Sequence, residues 1–222
     1  LGKRLRPLTQ DRPKPLIEVG GKPLLERIVE NFVSQGFERF YISINYKGEQ
    51  IRDHFGDGSK WNSEIRYLAE DTAMGTAGAL SLIETPPEAP LIVMNGDLVT
   101  EIDFNRALDF HAEQGAMGTM AVRTYEFQVD FGVVDIENGS ISAINEKPVH
   151  KFFVNAGIYV LEPAALADIP RGRTTDMPAL FESWLATGKN CAAFPIHEYW
   201  LDVGRIEDLE RAKRKAQSGG NP

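Results

Sequence analysis

The stretch PLLERIVENFVSQGF (23–37) places apolar residues at 24, 25, 28, 29, 32 and 33, the spacing of one helical face, and Gly36 supplies its stop. RFYISIN is a β-rich run that reads as a strand, and a helix is expected around 48–55. IRYLAE is another short strand, and TAGALSLI reads as a helix opening just after a glycine. LIVMNGD is a nearly continuous apolar strand broken at Gly96-Asp97, and FNRALDFHAEQG follows as an amphipathic helix. This βαβα order predicts a Rossmann-like α/β fold, a mixed but mostly parallel sheet with helices on both faces.

From residue 117 the pattern changes. GTMAVRTY, FGVVDIE, SISAINEK and FFVNAGIYVL are strand-like with short turns, DIENGS among them, which predicts an antiparallel or mixed extension of the sheet. TDMPALFESWLATG and RIEDLERAKRKAQ close the chain as helices. A single domain over 1–217 is expected, in two halves, 1–116 and 117–217. SGGNP (218–222) is expected to be a flexible tail.

Composition narrows the classes. The 222 residues with 42% hydrophobic content suffice for a sizeable core, and a net charge of −8 argues against nucleic-acid binding through bulk electrostatics. The single Cys191 excludes an internal disulfide and suits a reducing cytoplasm; in NCAAFPI it reads as a small residue opening a buried strand. No apolar run is long enough to span a bilayer and no signal peptide is visible, so neither a membrane nor export is expected. The histidines at 54, 111, 150 and 197 show no close-spaced ligand pattern and read as surface or helix residues.

Candidate chemistry begins in LGKRLRPLTQDRPKPLI. Pro7, Pro13 and Pro15 enforce an extended, irregular path. Gly2 would let the backbone approach phosphate oxygens, with the flanking amides at Leu1 and Lys3 as donors. Arg4 offers a planar fork and Lys14 a point charge, the two ways proteins grip phosphate. A solvated basic segment is the bland alternative. Asp97, straight after an apolar strand, lies where α/β sheets present ligands, and could hold a hard divalent cation; an isolated Gly-Asp equally starts a turn or caps a helix. Asp202 in YWLDVG is a second such carboxylate. Glu146 beside Lys147 in NEKP reads on residue type alone as a surface ion pair. EDTAMGTAGAL (70–80) can admit a flat base or serve tight helix–sheet packing.

G-K-R-L-R-P-L-T at residues 2–9 and P-K-P-L at 13–16 resemble the signature loop of the sugar-1-phosphate nucleotidyltransferases, or nucleotide-sugar pyrophosphorylases. The resemblance runs to about residue 215, and its flavour is that of bacterial mannose-1-phosphate guanylyltransferase-like proteins, some with CBS regulatory domains upstream. It implies a glycosyltransferase-A-like fold. In the family a strand ending in Gly-Gly precedes the signature, so a first strand is expected upstream of Leu1. The family's G-D and W-x-D-x-G motifs, here Gly96-Asp97 and residues 200–204, imply that Asp97 and Asp202 share one Mg²⁺. The E-K-P motif implies that Glu146 meets sugar hydroxyls and Lys147 the sugar phosphate, with Gly132 and Asn155 lining that pocket; Gly132 equally reads as a strand irregularity.

MGTAGA resembles the family's base-holding L-G-T-A-G-A segment, which implies nucleotide contacts at Gly75 and Thr76. Glu70 would accept hydrogen bonds from a donor-rich base edge, which favours guanine and hence GTP. The nucleotide-binding half is then 1–116 and the sugar-phosphate half 117–217. The implied reaction is attack of a sugar 1-phosphate oxygen on the α-phosphorus of a nucleoside triphosphate with loss of pyrophosphate. Arg4 would meet the leaving phosphates, Lys14 the triphosphate and Lys147 the attacking phosphate. Family members often dimerise, so a homo-oligomer is a further expectation. The alternatives are thymidylyl, uridylyl or cytidylyl transfer on the same fold, or a regulatory nucleotide-sugar sensor without turnover.

Overall fold

A computed structural model describes Leu5 and residues 7–217. The residues Leu1, Gly2, Lys3 and Arg4 of the signature loop and the tail 218–222, for which the sequence sets expectations, lie outside the described residues. A 3₁₀ turn at Lys14–Leu16 leads into the short antiparallel pair β1 (Glu18–Val19) and β2 (Lys22–Pro23), then α1 (Leu24–Ser34). The predicted helical face is the buried one: Leu24, Leu25, Ile28, Val29 and Phe32 are all buried. Gly36 ends it at φ +92°, donating its amide to Val33, because a left-handed residue lets the chain leave the helix without a Cβ clash.

β3 (Arg39–Ile44), α2 (Gly48–Phe55) and β4 (Glu64–Ala69) form a parallel β-α-β unit in register from Arg39 opposite Glu64 to Ile44 opposite Ala69. The short α3 (Gly75–Gly78) continues as a 3₁₀ turn, Ala79–Leu82, before β5 (Leu91–Met94) and β6 (Leu98–Thr100). α4 (Phe104–Gln114) is capped by Asp103, whose carboxylate accepts the Arg106 amide, and stops at Gly115.

The second half is strand-rich, as the pattern predicts: β7 (Gly118–Gln128), β8 (Val133–Glu137), β9 (Ser140–Asn145) and β10 (Val149–Leu161). Asn138 and Gly139, both at positive φ, make the tight turn of the β8–β9 hairpin. A 3₁₀ segment at Pro163–Asp168 leads to α5 (Met177–Ala186), β11 (Cys191–Pro195), β12 (Trp200–Asp202) and α6 (Ile206–Gln217).

The central sheet has strand order β11-β7-β10-β5, with β10 antiparallel to both neighbours and β11 parallel to β7. The fold is thus mixed α/β, and the β10–β5 ladder joins the two halves of the chain in one sheet. Successive residues of β10 show both faces covered. Ile158 and Val160 pack into a core with Phe32 of α1 and Phe104 of α4, whereas Tyr159 and Leu161 pack with Leu180, Phe181 and Trp184 of α5. Alternate side chains of a strand point to opposite faces, so helices lie on both sides. A third cluster joins Leu5, Val99, Leu201, Val203 and Leu209, tying the N-terminal loop to β6, β12 and α6. No helix among the described residues is long and apolar enough to cross a membrane.

Candidate active site

Lys14 is delivered by the stiff N-terminal loop. Pro13 precedes its 3₁₀ turn at φ −66°, and Leu16 and Ile17 bury themselves beneath it. From outside, Lys47 Nζ and Gln50 Nε2 at the start of α2 donate to the carbonyls of Gln10 and Asp11. So anchored, Lys14 Nζ lies 2.5 Å from Asp97 Oδ2 across 83 residues of sequence, and both side chains are at least two-thirds shielded from water. Partial burial weakens solvent screening, so this pair is a stronger local field than a surface ion pair.

Asp202 reaches Asp97 through backbone. β12 pairs antiparallel with β6, Asp202 opposite Leu98, and the Val203 amide donates to the Asp97 carbonyl at 2.9 Å. One short ladder therefore sets the backbones of Asp97 and Asp202 next to each other, beyond the end of β5. Carboxylates are the donor type suited to a divalent cation such as Mg²⁺, which uses one or two of them and completes its shell with phosphate oxygens and water.

The loop 95–97 is fixed from the other side by an irregularity in β10. Between Asn155 and Tyr159 the β10–β7 register shifts, and the Gly157 carbonyl accepts the Asn95 amide at 2.9 Å. Gly157 sits at φ +70°, and a Cβ there would meet Asn95 Nδ2 at 2.6 Å, so the close approach requires glycine. Asn155 is spent on holding this bulge: its Oδ1 accepts the Gly157 amide and its Nδ2 donates to the Tyr159 hydroxyl. Burial pushes the Tyr159 phenol up, with the Asn155 contact opposing. Trp200 ties the bulge to β12, its indole Nε1 donating to the Ala156 carbonyl at 2.8 Å, while Arg123 Nη1 donates to the Trp200 carbonyl.

Gly132 and Glu146 also meet. A Cβ on Gly132 would lie 2.8 Å from Glu146 Oε2, so the tip of the carboxylate rests against the Gly132 backbone. Lys147 follows in the left-handed region at φ +47°, a conformation that costs a lysine about 1–2 kcal/mol. Glu146 and Lys147 are both exposed at the base of the β8–β9 hairpin.

The 70–76 segment is tied to the rest of the chain. Glu70 Oε2 accepts the Met74 amide at 2.9 Å, and Asn45 Nδ2 donates to the Glu70 carbonyl. Gly75 at φ +79° presses on the Thr175 carbonyl, where a Cβ would come to 2.5 Å. Thr76 and Asp176 cap each other's helices: Asp176 Oδ1 accepts the Thr76 amide, and Thr76 Oγ1 accepts the Met177 amide that starts α5. Asp176, Asn95 and Gly157 are not among the candidates the sequence offers, and Trp200 enters there only as a motif position. An isolated Gly in a strand and an Asp before Met-Pro are the signals that mark two of them.

The family model described as nucleotidyl transferase matches residues 1–219. A UTP–glucose-1-phosphate uridylyltransferase of Synechocystis is 31% identical over 96% of this chain and 60% of its own length. A mannose-1-phosphate guanyltransferase of Schizosaccharomyces pombe is 34% identical over 93% of this chain and 59% of its own. The chain thus spans about 60% of the length of these relatives. The crystal structure of HddC from Yersinia pseudotuberculosis complexed with GMP-PN superposes with a TM-score of 0.72 at 26% identity, covering 97% of this chain and 95% of that one.

Proposed function

The chain belongs to the nucleotidyl transferase family, and on that premise we propose that it converts a nucleoside triphosphate and a sugar 1-phosphate into a nucleotide-sugar and pyrophosphate. The observation that supports this reading is the Lys14–Asp97 ion pair beside the backbone ladder that carries Asp202. The attacking phosphate oxygen is already anionic near neutral pH, so the reaction needs no general base. It needs two polyanions brought together and their charge offset.

Lys14 holds the triphosphate, Arg4 of the same signature loop meets the leaving phosphates, and Lys147 holds the attacking phosphate, with Glu146 on sugar hydroxyls across Gly132. Asp97 and Asp202 would hold Mg²⁺, which when bound screens phosphate charge and orients the α-phosphate. Glu70, Gly75 and Thr76 face the base, and Asn155 shapes the sugar pocket through the bulge it stabilises. GTP is the favoured donor: a guanyltransferase is among the relatives, a GMP-PN complex is among the structural neighbours, and an acidic residue suits the donor-rich guanine edge. A uridylyl donor is the second reading, favoured by the Synechocystis relative.

Pyrophosphate release with Mg²⁺, crossing GTP, UTP, dTTP, CTP and ATP against mannose, glucose, glucosamine and heptose 1-phosphates, tests this. A signal that needs one triphosphate, one sugar phosphate and the metal is expected. Silence across the grid with nucleotide binding retained would favour a regulatory sensor of nucleotide-sugars.

A further inference from the structure

Strand β12 carries Asp202, and its register fixes which of its groups face away from β6. The Val203 amide donates to the Asp97 carbonyl and the Glu101 amide to the Tyr199 carbonyl, so residues 199, 201 and 203 hold the hydrogen-bonded positions of the antiparallel ladder. Trp200 and Asp202 alternate with them, so their main-chain groups point away from β6. Two short strands paired only with each other are marginal in water, and β6 is the one strand paired with β12 among the described residues. What holds the other edge of β12 therefore decides how firmly Asp202 is placed.

Arg123 holds that edge. Its Nη1 donates to the outward carbonyl of Trp200 at 2.8 Å, and its guanidinium carbon stands 5.5 Å from the centre of the Trp200 ring. A planar fork can make a carbonyl contact and a cation–π contact on one residue, which the point charge of an ammonium matches less well. The arginine is rooted in the central sheet: Val122, next to it on β7, pairs with Asn155 of β10 and with Pro195 of β11. Arg123 is exposed, and an exposed arginine on a strand reads from sequence as a solubilising residue. Its fork is instead spent on the main chain of a segment 77 residues away.

Trp200 passes this hold on in two directions. Along β12 it is two residues from Asp202. Its indole Nε1 donates to the Ala156 carbonyl at 2.8 Å, and the adjoining Gly157 carbonyl accepts the amide of Asn95, itself two residues from Asp97. Both aspartate-bearing segments are thus linked to one tryptophan, and one guanidinium clamps that tryptophan from β7.

We propose that Arg123 is a positioning residue for nucleotidyl transfer: by clamping Trp200 it fixes β12, and so the backbone of Asp202 relative to that of Asp97. The positioning role rests on the carboxylate functions given under Proposed function; the clamp on β12 does not. Arg123 touches no reacting atom in this role. Its loss leaves the outward Trp200 carbonyl to water and frees β12 to move. The effect therefore falls on use of the cation more than on binding of either substrate, because groups that hold metal ligands in place tune metal affinity or activity by about 10–100-fold.

The test compares the parent with Arg123→Gln, Arg123→Lys and Asp202→Asn. Hydrogen exchange followed by mass spectrometry, without ligands, should be faster in peptides covering 199–204 of Arg123→Gln, with α1, β3 and β4 at the parental rate. In the pyrophosphate-release assay Arg123→Gln should raise the half-saturating Mg²⁺ concentration about 10-fold and lower kcat by a similar factor, with both substrate KM values within about 2-fold. Arg123→Lys keeps the charge and a donor for the carbonyl, and should recover most of the loss. Parental exchange at 199–204 in Arg123→Gln overturns the clamp. Faster exchange with parental Mg²⁺ dependence, while Asp202→Asn shifts that dependence, overturns the positioning role and leaves the reaction standing. Faster exchange in a chain that turns over no sugar phosphate, or whose Mg²⁺ dependence ignores Asp202→Asn, upholds the clamp and instead overturns the roles proposed above.

Discussion

The Val203 amide donates to the Asp97 carbonyl at 2.9 Å, and this one bond ties together the backbones of segments whose aspartates, Asp97 and Asp202, lie 105 residues apart in sequence. It continues the β6–β12 ladder by one residue past Asp202. The backbones that carry Asp97 and Asp202 are therefore fixed relative to each other by main-chain hydrogen bonds. A site that must grip phosphates and a cation benefits from that rigidity, because charge stabilisation works best when donors need not reorganise.

Lys14→Met removes the ammonium beside Asp97 while keeping the length of its stem. Turnover in the pyrophosphate-release assay should fall by about 10²–10³-fold, the cost of losing one preorganised charge contact in a site of this type. The melting temperature should fall by a few degrees at most, because Asp97 keeps about one-third of its side chain exposed and can recruit water in place of the lost partner. Parental turnover would remove Lys14 from the reaction.

Gly157→Ala tests the bulge. The alanine must adopt φ near +70° and displace the Asn95 amide from a 2.6 Å contact. Strain of about 1–2 kcal/mol should appear in chemical denaturation. Turnover should fall by about 10²-fold through misplacement of the 95–97 loop. A variant with lost stability and intact kcat would show the bulge to be structural only.

The reciprocal caps of Thr76 and Asp176 make a graded series. Thr76→Val loses both the acceptor for the Met177 amide and the hydroxyl donor to Asp176, and should cost about 1–2 kcal/mol. Thr76→Ser keeps both groups and should stay within a few tenths of the parent. Equal destabilisation by both substitutions, measured by urea unfolding, would contradict the capping role.

Asp168 supplies the pH dependence. Its carboxylate is held below the usual range by the Lys189 ammonium, against the opposing effect of burial, with the Trp184 indole N–H adding to the lowering. A depressed folded-state value stabilises above the unfolded value, about pH 4, and that contribution is lost as pH falls further. Asp168→Asn should therefore flatten the acid limb of the stability curve while keeping an acceptor for Trp184. Asp168→Ala should cost a further 1 kcal/mol or about that, because it strands a buried indole donor. An unchanged acid limb in the asparagine variant would refute the linkage.

Helix α1, the parallel β3–α2–β4 unit and the strand-rich second half were legible in the sequence because each carries its own period. The apolar spacing 24, 25, 28, 29, 32 is the buried face of α1, and Asn138-Gly139 marks its hairpin turn locally. The signature loop and the Gly-Asp, Glu-Lys-Pro and Trp-x-Asp-x-Gly motifs named the candidate residues for the same reason: they are contiguous.

The three-residue strands β6 and β12 have too few residues to show a period, so they exist only through their mutual pairing and the burial of Val99 and Leu201. That pairing is what sets Asp202 beside Asp97. The trans caps between Thr76 and Asp176 and the glycine bulge under Asn95 are likewise invisible to periodicity. Each depends on which distant segment lies opposite. The sequence by itself determined the elements and the chemical groups they carry, through local spacing and residue type. The tertiary structure alone decided which groups meet, because hydrogen-bond pairing and side-chain burial across distant segments set those distances.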